Sequence, residues 1–280
     1  MKQIFKTTVL LALLTGLFMA VGYFVGGQQG MLVAFGFAAV MNVGMYWFSD
    51  SIVLKMQGAK PLPESQYPQV VRMVQELATH DGLPMPKLYY VDTPIPNAFA
   101  TGRSPSHAAV AVTTGIVGIL TDAELKAVLA HELGHVKNRD MLVSTIAATV
   151  AGAISYLAQM AYFMGGSSDD EDSPNPLVGL AMLILAPLAA MLIQMAVSRS
   201  REFLADEHSA RVLNGGNDLA NALQKLDSFK QSVPPIQPSP AEQAGAHLMF
   251  ANMFSMAGLA SLFSTHPSTE ARVSRLKQIV

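Results

Sequence analysis

The sequence predicts an α+β, mainly helical integral membrane protein, and three features carry that expectation. Four charge-free apolar runs pair into two hairpins, three short β-rich segments lie between the hairpins, and a well-signalled helix in the same interval carries two histidines on one face. Composition agrees: 51% of residues are hydrophobic, 14% are charged, and mean hydropathy is +0.33, which suits a chain that turns apolar surface to lipid. The formal net charge of -2 at pH 7 leaves no basic excess for nucleic acid. There is no cysteine, so there is no disulfide frame, and a metal must be held by His, Asp or Glu.

Residues 7–49 contain no charge, and two apolar runs there flank the turn GGQQG, Gly26 to Gly30. Each run is about as long as a bilayer-spanning helix. Residues 141–168 and 173–198 repeat the pattern around the acidic loop SSDDED. The four runs are thus expected to form four transmembrane helices. Lys2, Lys6, Lys55, Lys60, Lys137, Arg139, Arg199 and Arg201 flank them, and neither hairpin turn carries Lys or Arg. The positive-inside rule then places both termini and both polar segments in the cytoplasm. MKQIFKTTVLLALL also has the basic and apolar regions of a cleavable signal peptide, but a second run follows closely and the charge bias agrees across all four. The expected organisation is an N-terminal transmembrane hairpin at 1–50 and half of a polar domain at 51–140. A second hairpin is inserted at 141–198, and the other half of the polar domain follows at 199–280.

Within the polar domain, Val70, Val71, Met73, Val74 and Leu77 have helical spacing over residues 65–81, and Gly82 stops the helix. KLYYVDT, PNAFATG and AAVAVTTG are rich in β-branched and aromatic residues and are separated by Pro and Gly. They predict three short strands of one small antiparallel sheet. In LTDAELKAVLAHELGH, Thr121 and Glu124 form a capping box ahead of an apolar stripe at Leu125, Val128 and Leu129. SRSREFLADEHSARVL and the segment from Asp218 to Lys230 predict two more helices, VPPIQPSP is a flexible loop, and residues 248–263 form a core helix.

The chemistry starts at HELGH. His131 and His135 are four residues apart, so on a helix both rings leave one face and occupy two positions of a tetrahedral zinc. Glu132 stands beside them, placed to take a proton from water that the metal has acidified. A hydrolytic zinc keeps one position open, which leaves one protein ligand to find. REFLADEH holds Glu202, Asp206, Glu207 and His208. Glu202 and Asp206 share a helix face, while Glu207 and His208 point away from it. One of the first pair ligates, and the other braces a ligand histidine through its free ring nitrogen. A solvated charged face is the commoner meaning of such a run.

HELGHVKNRD, an apolar hairpin and then SREFLADEHSA resemble the HtpX-type membrane metalloproteases, relatives of the CAAX prenyl proteases within the gluzincin group. The resemblance extends to the leading hairpin, PNAFATG and STHP at 264–267. It implies a gluzincin-like zinc protease domain divided between 51–140 and 199–280, with one Zn2+ per chain on His131, His135 and Glu202 and with Asp206 behind a ligand. It also implies that Asn97, Ala98, Phe99 and Ala100 form the strand along which a substrate backbone lies. Besides Glu132, the family pattern makes His266 a catalytic candidate that polarises the substrate carbonyl or oxyanion. By itself, a His before Pro at a helix start is a capping or packing residue. His80, His107, His208 and His247 read as ordinary polar residues.

The family further implies a bacterial inner-membrane enzyme of stress response and protein quality control. Its partners would be membrane-protein or unfolded polypeptide substrates, the lipid bilayer and other membrane proteases, with no nucleic acid. Prenyl-protein-type processing is the alternative specificity. A non-catalytic scaffold with structural zinc would want a fourth ligand, and a transporter would want ionisable groups within its spans. His135 lies six residues before Met141 and Glu202 five residues after Val197, so at ~1.5 Å per helical residue the metal lies roughly 10 Å outside the hydrocarbon.

Overall fold

The computed structural model describes residues 2–140, 142, 146, 199–232 and 267–279. The expected second hairpin (apart from Leu142 and Ile146), the proline-rich loop, the helix at 248–263 and His266 lie outside the described residues.

The first helix, α1, is assigned without a break over Lys2–Met56, but the chain reverses within it. Gly27 takes a φ of 60°, a conformation that glycine adopts without steric cost, and Asn42 Nδ2 donates to Thr15 Oγ1 at 2.8 Å. In one straight helix the 27 residues separating that pair would span about 40 Å. The chain therefore turns back near Gly27, between Thr15 and Asn42. Among the described residues one stretch, Gly27–Phe48, is long and apolar enough to cross a bilayer. Leu32, Val33, Phe35, Phe37, Val40 and Phe48 along it are all exposed, a surface far more suited to lipid than to water. The last turns of α1 leave this surface behind, and Val53 and Leu54 are buried against Phe99, Ala109 and Ala111.

Four strands follow: β1 (Lys60–Pro61), β2 (Lys87–Val91), β3 (Ala98–Gly102) and β4 (Ala108–Thr113), in the sheet order β1-β2-β4-β3. The three strands expected from sequence are present, but the sheet is mixed rather than antiparallel. β1 pairs with β2 and β3 with β4 in antiparallel register, whereas β2 and β4 are parallel. The reason is a change of place: the segment after β2 passes over the end of β4 to the far edge, and the β3–β4 hairpin then folds back inward. Gly115 makes the crossing possible, because a Cβ there would lie 2.2 Å from the Pro94 carbonyl oxygen. The crossing is pinned where Gly115 N and Thr114 Oγ1 donate to Thr93 O, at 3.0 and 2.9 Å. β3 is left as an edge strand.

The helices are α2 (Pro68–Asp81), α3 (Thr114–Ile119), α4 (Asp122–Asn138), α5 (Arg199–Val212), α6 (Asn217–Ser232) and α7 (Thr269–Leu276). α4 is central, packed on α2, β3, α5 and α6, with Leu125, Val128, Leu129 and Leu133 in the core. The helix buries most of its length, His131 and Glu132 included, while Asp122, Lys137 and Asn138 at its ends stay exposed. The predicted capping box starts it: Glu124 N donates to Thr121 Oγ1 at 3.3 Å, and Thr121 N donates to Glu124 Oε2 at 2.8 Å. Arg139 ends it in the left-handed region at φ 57°. That reversal turns the next residue, Asp140, back toward the last turn, where its N–H meets His135 O at 3.3 Å.

Candidate metal centre

The site depends on how closely α4 and α5 approach. A Cβ on Gly134 would stand 3.1 Å from the His208 ring and 3.3 Å from Ala205 Cα, so the glycine of HELGH and the small Ala205 set the separation. Ser209 Oγ, donating to Ala127 O at 2.7 Å, ties the same contact. With the helices this close, two side chains one turn apart on α4 and one from α5 reach a common point.

That point is formed by His131, His135 and Glu202, whose ligand atoms all lie within 4.8 Å of one another. His135 Nε2 is 3.1 Å from His131 Nε2 and 3.5 Å from Glu202 Oε1, and His131 Nε2 is 3.8 Å from Glu202 Oε2. Tetrahedral zinc with bonds of about 2.0–2.1 Å places its ligands roughly 3.3 Å apart, so the donor set and its spacing fit that ion. The three supply two imidazoles and a carboxylate, a hydrolytic set that leaves a fourth position for water.

Each histidine is oriented by a carboxylate on its other nitrogen. His131 Nδ1 lies 2.9 Å from Asp206 Oδ1, and His135 Nδ1 lies 3.2 Å from Asp140 Oδ2. A carboxylate can only accept, so each Nδ1 carries a proton, which makes Nε2 the nitrogen that faces a metal. Burial lowers His131 to about 4, which keeps its imidazole neutral. At His135 burial acts downward, but Asp140, Glu202 and Glu132 outweigh it and raise the group to about 10, so metal binding there releases a proton. Burial pushes Glu132 up to about 8, with His135 opposing and Glu202 assisting. A cation on the three ligand atoms would draw it back down.

Of the residues expected from sequence, His131, His135 and Glu202 are brought together, and Glu132 is buried beside them, hydrogen-bonded to the Ala100 backbone. Ala98, Phe99 and Ala100 lie on the edge strand β3, with Asn97 just before it. Asn97 N donates to Thr113 Oγ1 at 2.8 Å. Glu207 faces away and pairs with Arg211 at 2.8 Å. His208 also faces away from the metal position but is no ordinary surface residue: its Nε2 lies 2.8 Å from the buried Asp81, which Lys137 meets at 2.7 Å.

Two residues of the site escaped sequence reasoning. Asp140 closes the stretch HELGHVKNRD, and its role depends on the left-handed turn at Arg139, which no local pattern announces. Arg272 grips Asp206 from α7, 66 residues away in sequence, and nothing near it marks a metal centre.

Fold and site together give a candidate hydrolytic metal centre whose three ligand residues come from two adjacent helices. The profile of Peptidase family M48 matches residues 64–280. A protein named Protease HtpX homolog from Ralstonia pickettii (strain 12J) is 51% identical over 98% of this chain and 96% of its own length. Relatives of the same name in Methylibium petroleiphilum and Ralstonia nicotianae are 51% and 52% identical, covering 100% and 97% of this chain and 99% and 94% of their own. The chain belongs to peptidase family M48 and is a metallopeptidase. The crystal structure of S. mikatae Ste24p shares the fold, at a TM-score of 0.52 and 18% identity. The match covers 98% of this chain and 65% of that one.

Proposed function

We propose that this protein is a membrane-bound zinc endopeptidase that cuts extended segments of membrane proteins or unfolded chains near the cytoplasmic surface of a bacterial inner membrane, in the service of protein quality control. The observation that carries this is the convergence of His131, His135 and Glu202 within 4.8 Å, with Glu132 buried against them and an edge strand alongside. The exposed apolar stretch Gly27–Phe48 supports the membrane setting. In this reading the protease domain is divided between 51–140 and 199–280, and 141–198 is an inserted second hairpin. A cysteine at Ser168 should then react with an impermeant thiol reagent from the outer face, while one at Lys60 should not.

His131, His135 and Glu202 would hold zinc, which when bound would supply Lewis acidity for amide hydrolysis. Glu132 takes the water proton as the C–O bond forms and delivers it to the amine nitrogen as the C–N bond breaks. Asp206 and Asp140 keep His131 and His135 in the tautomer that ligates. The edge from Asn97 to Ala100 offers backbone pairing to an extended peptide, which aligns the scissile bond without demanding a particular side chain. By the family pattern His266 is a candidate for the substrate carbonyl or oxyanion, with a capping or packing role as the alternative. Among the described residues only three ligands are grouped, with a carboxylate base beside them, which favours catalysis over a closed structural site. The likeness to Ste24p concerns the fold alone and gives no support to prenyl-protein processing.

The test moves one unstructured cleavable segment stepwise along the cytoplasmic tail of a reporter membrane protein. In intact membranes the rate should fall as the segment leaves the surface, and transfer to detergent should flatten that dependence. A rate indifferent to position in membranes, or efficient cutting within the spans, contradicts the proposal.

A further inference from the structure

We infer that Arg272, on the C-terminal helix α7, is a positioning residue that locks Asp206 onto His131 and thereby sets the affinity of the metal centre. Arg272 and Asp206 are each 2% exposed. The guanidinium holds both carboxylate oxygens, with Nη2 donating to Oδ1 at 2.6 Å and Nε to Oδ2 at 2.9 Å. Oδ1 is also the oxygen that His131 Nδ1 meets at 2.9 Å. A planar fork on two oxygens fixes the rotation of the carboxylate, which a single ammonium cannot do. Arg272 Nη2 also approaches His131 Nδ1 at 3.4 Å. That contact is longer, and a guanidinium only donates, so the imidazole proton belongs to the Asp206 contact. If Asp206 rotated away, the proton would be free to move to Nε2, where it blocks ligation.

Charge points the same way. Arg272 Nη1 stands 3.8 Å from Glu202 Oε2, too far for a hydrogen bond, so its charge reaches Glu202 while its fork orients Asp206. With Glu132, Asp140 and the buried Arg201 counted, four carboxylates face two arginines and a divalent ion, which balances. The helix that carries Arg272 is firmly seated, since Val273 and Leu276 enter the core and the Arg275 guanidinium sits 4.9 Å over the Phe203 ring of α5. The C-terminal helix is thus part of the metal centre, although it supplies no ligand.

This inference rests on the metal-site reading above, and the test separates the two. Zinc affinity of the full-length, detergent-solubilised protein is measured by chelator competition for wild type, Arg272→Met, Asp206→Asn, the double variant and Arg272→Lys. Arg272→Met should weaken zinc by about 10 to 100-fold, the range for partners that orient ligands. In the Asp206→Asn background, the same change should add less than about twofold, because Arg272 acts through Asp206. Arg272→Lys should recover only part of the loss. The double variant removes the carboxylate and the guanidinium together, so comparing it with Asp206→Asn alone remains decisive even if Arg272→Met does not fold. Wild-type affinity in Arg272→Met, or losses that multiply in the double variant, would overturn the inference. If Glu202→Ala keeps its zinc, the metal-site reading itself has failed instead.

Discussion

Asp206 and Asp81 are two carboxylates with buried side chains at the contact of α4 with α5, and each meets a histidine and a cation within 3 Å, with His80 Nδ1 a further 3.5 Å neighbour of Asp81. Asp206 takes His131 at 2.9 Å and Arg272 at 2.6 Å. Asp81, from the end of α2, takes His208 at 2.8 Å and Lys137 at 2.7 Å. Their chemistry is alike, and their functions differ because of what the second ring nitrogen of each histidine meets. His131 Nε2 faces His135 and Glu202, whereas among the described residues His208 belongs to no comparable group of ligands. A histidine–carboxylate pair becomes part of a metal centre only when the free nitrogen converges on further donors. Otherwise it ties helices together, as Asp81 ties α2, α4 and α5.

The largest effect expected from this contrast is at the converging side. Glu202→Ala removes a ligand from a three-ligand site, and metal analysis of the purified protein should find zinc lost and hydrolysis lost with it. Full zinc occupancy in that variant would break the comparison at its root. Asp206→Asn keeps the ligands but loosens one of them, so zinc affinity should fall by roughly 10 to 100-fold in chelator competition.

Asp81→Asn should act in the opposite sense, leaving zinc affinity unchanged and lowering stability by on the order of 1–3 kcal/mol, the usual cost of disturbing a buried hydrogen-bonded carboxylate. Its pH signature sharpens the contrast. Burial works against the charge on Asp81, but Lys137 and His208 outweigh it and hold the carboxyl below its ordinary value. A depressed folded-state value means that the stabilisation is present above the unfolded pKa, about 3.9, and is lost as pH falls through the lower folded value. Melting curves of wild type and Asp81→Asn should therefore differ most at neutral pH and converge below about pH 4. A difference that does not change with pH would show that the ion pair is not what stabilises this corner. The smallest effect belongs to Glu207→Ala, which removes only an exposed pair with Arg211 and should shift stability by less than about 0.5 kcal/mol, with zinc unaltered.

Legibility in the sequence follows the range of the interactions involved. α4 could be read residue by residue because Thr121, Glu124, His131, Glu132 and His135 sit in one continuous stretch, where capping and face arguments are local. The first hairpin was readable for the same reason, since GGQQG interrupts a charge-free run. Glu202 and Asp206 could be narrowed to one helix face, and the family resemblance then divided their roles. The strand order was not legible. Alternation and turn residues mark where strands lie, but the exchange of β3 and β4 depends on the crossing at Gly115, a contact between segments on either side of the hairpin. Arg272 and Asp140 are tertiary in the same sense: one reaches Asp206 across the fold, and the other depends on a backbone reversal at a non-glycine residue.

The most direct measurement pairs metal content with peptide hydrolysis on a single preparation of Glu132→Gln. The substitution leaves His131, His135 and Glu202 in place and removes only the proton carrier. The protein should bind one zinc per chain and lose hydrolysis by roughly 10² to 10⁴-fold, the usual worth of a general base. A variant that holds its zinc and still cleaves at near wild-type rate would contradict the account.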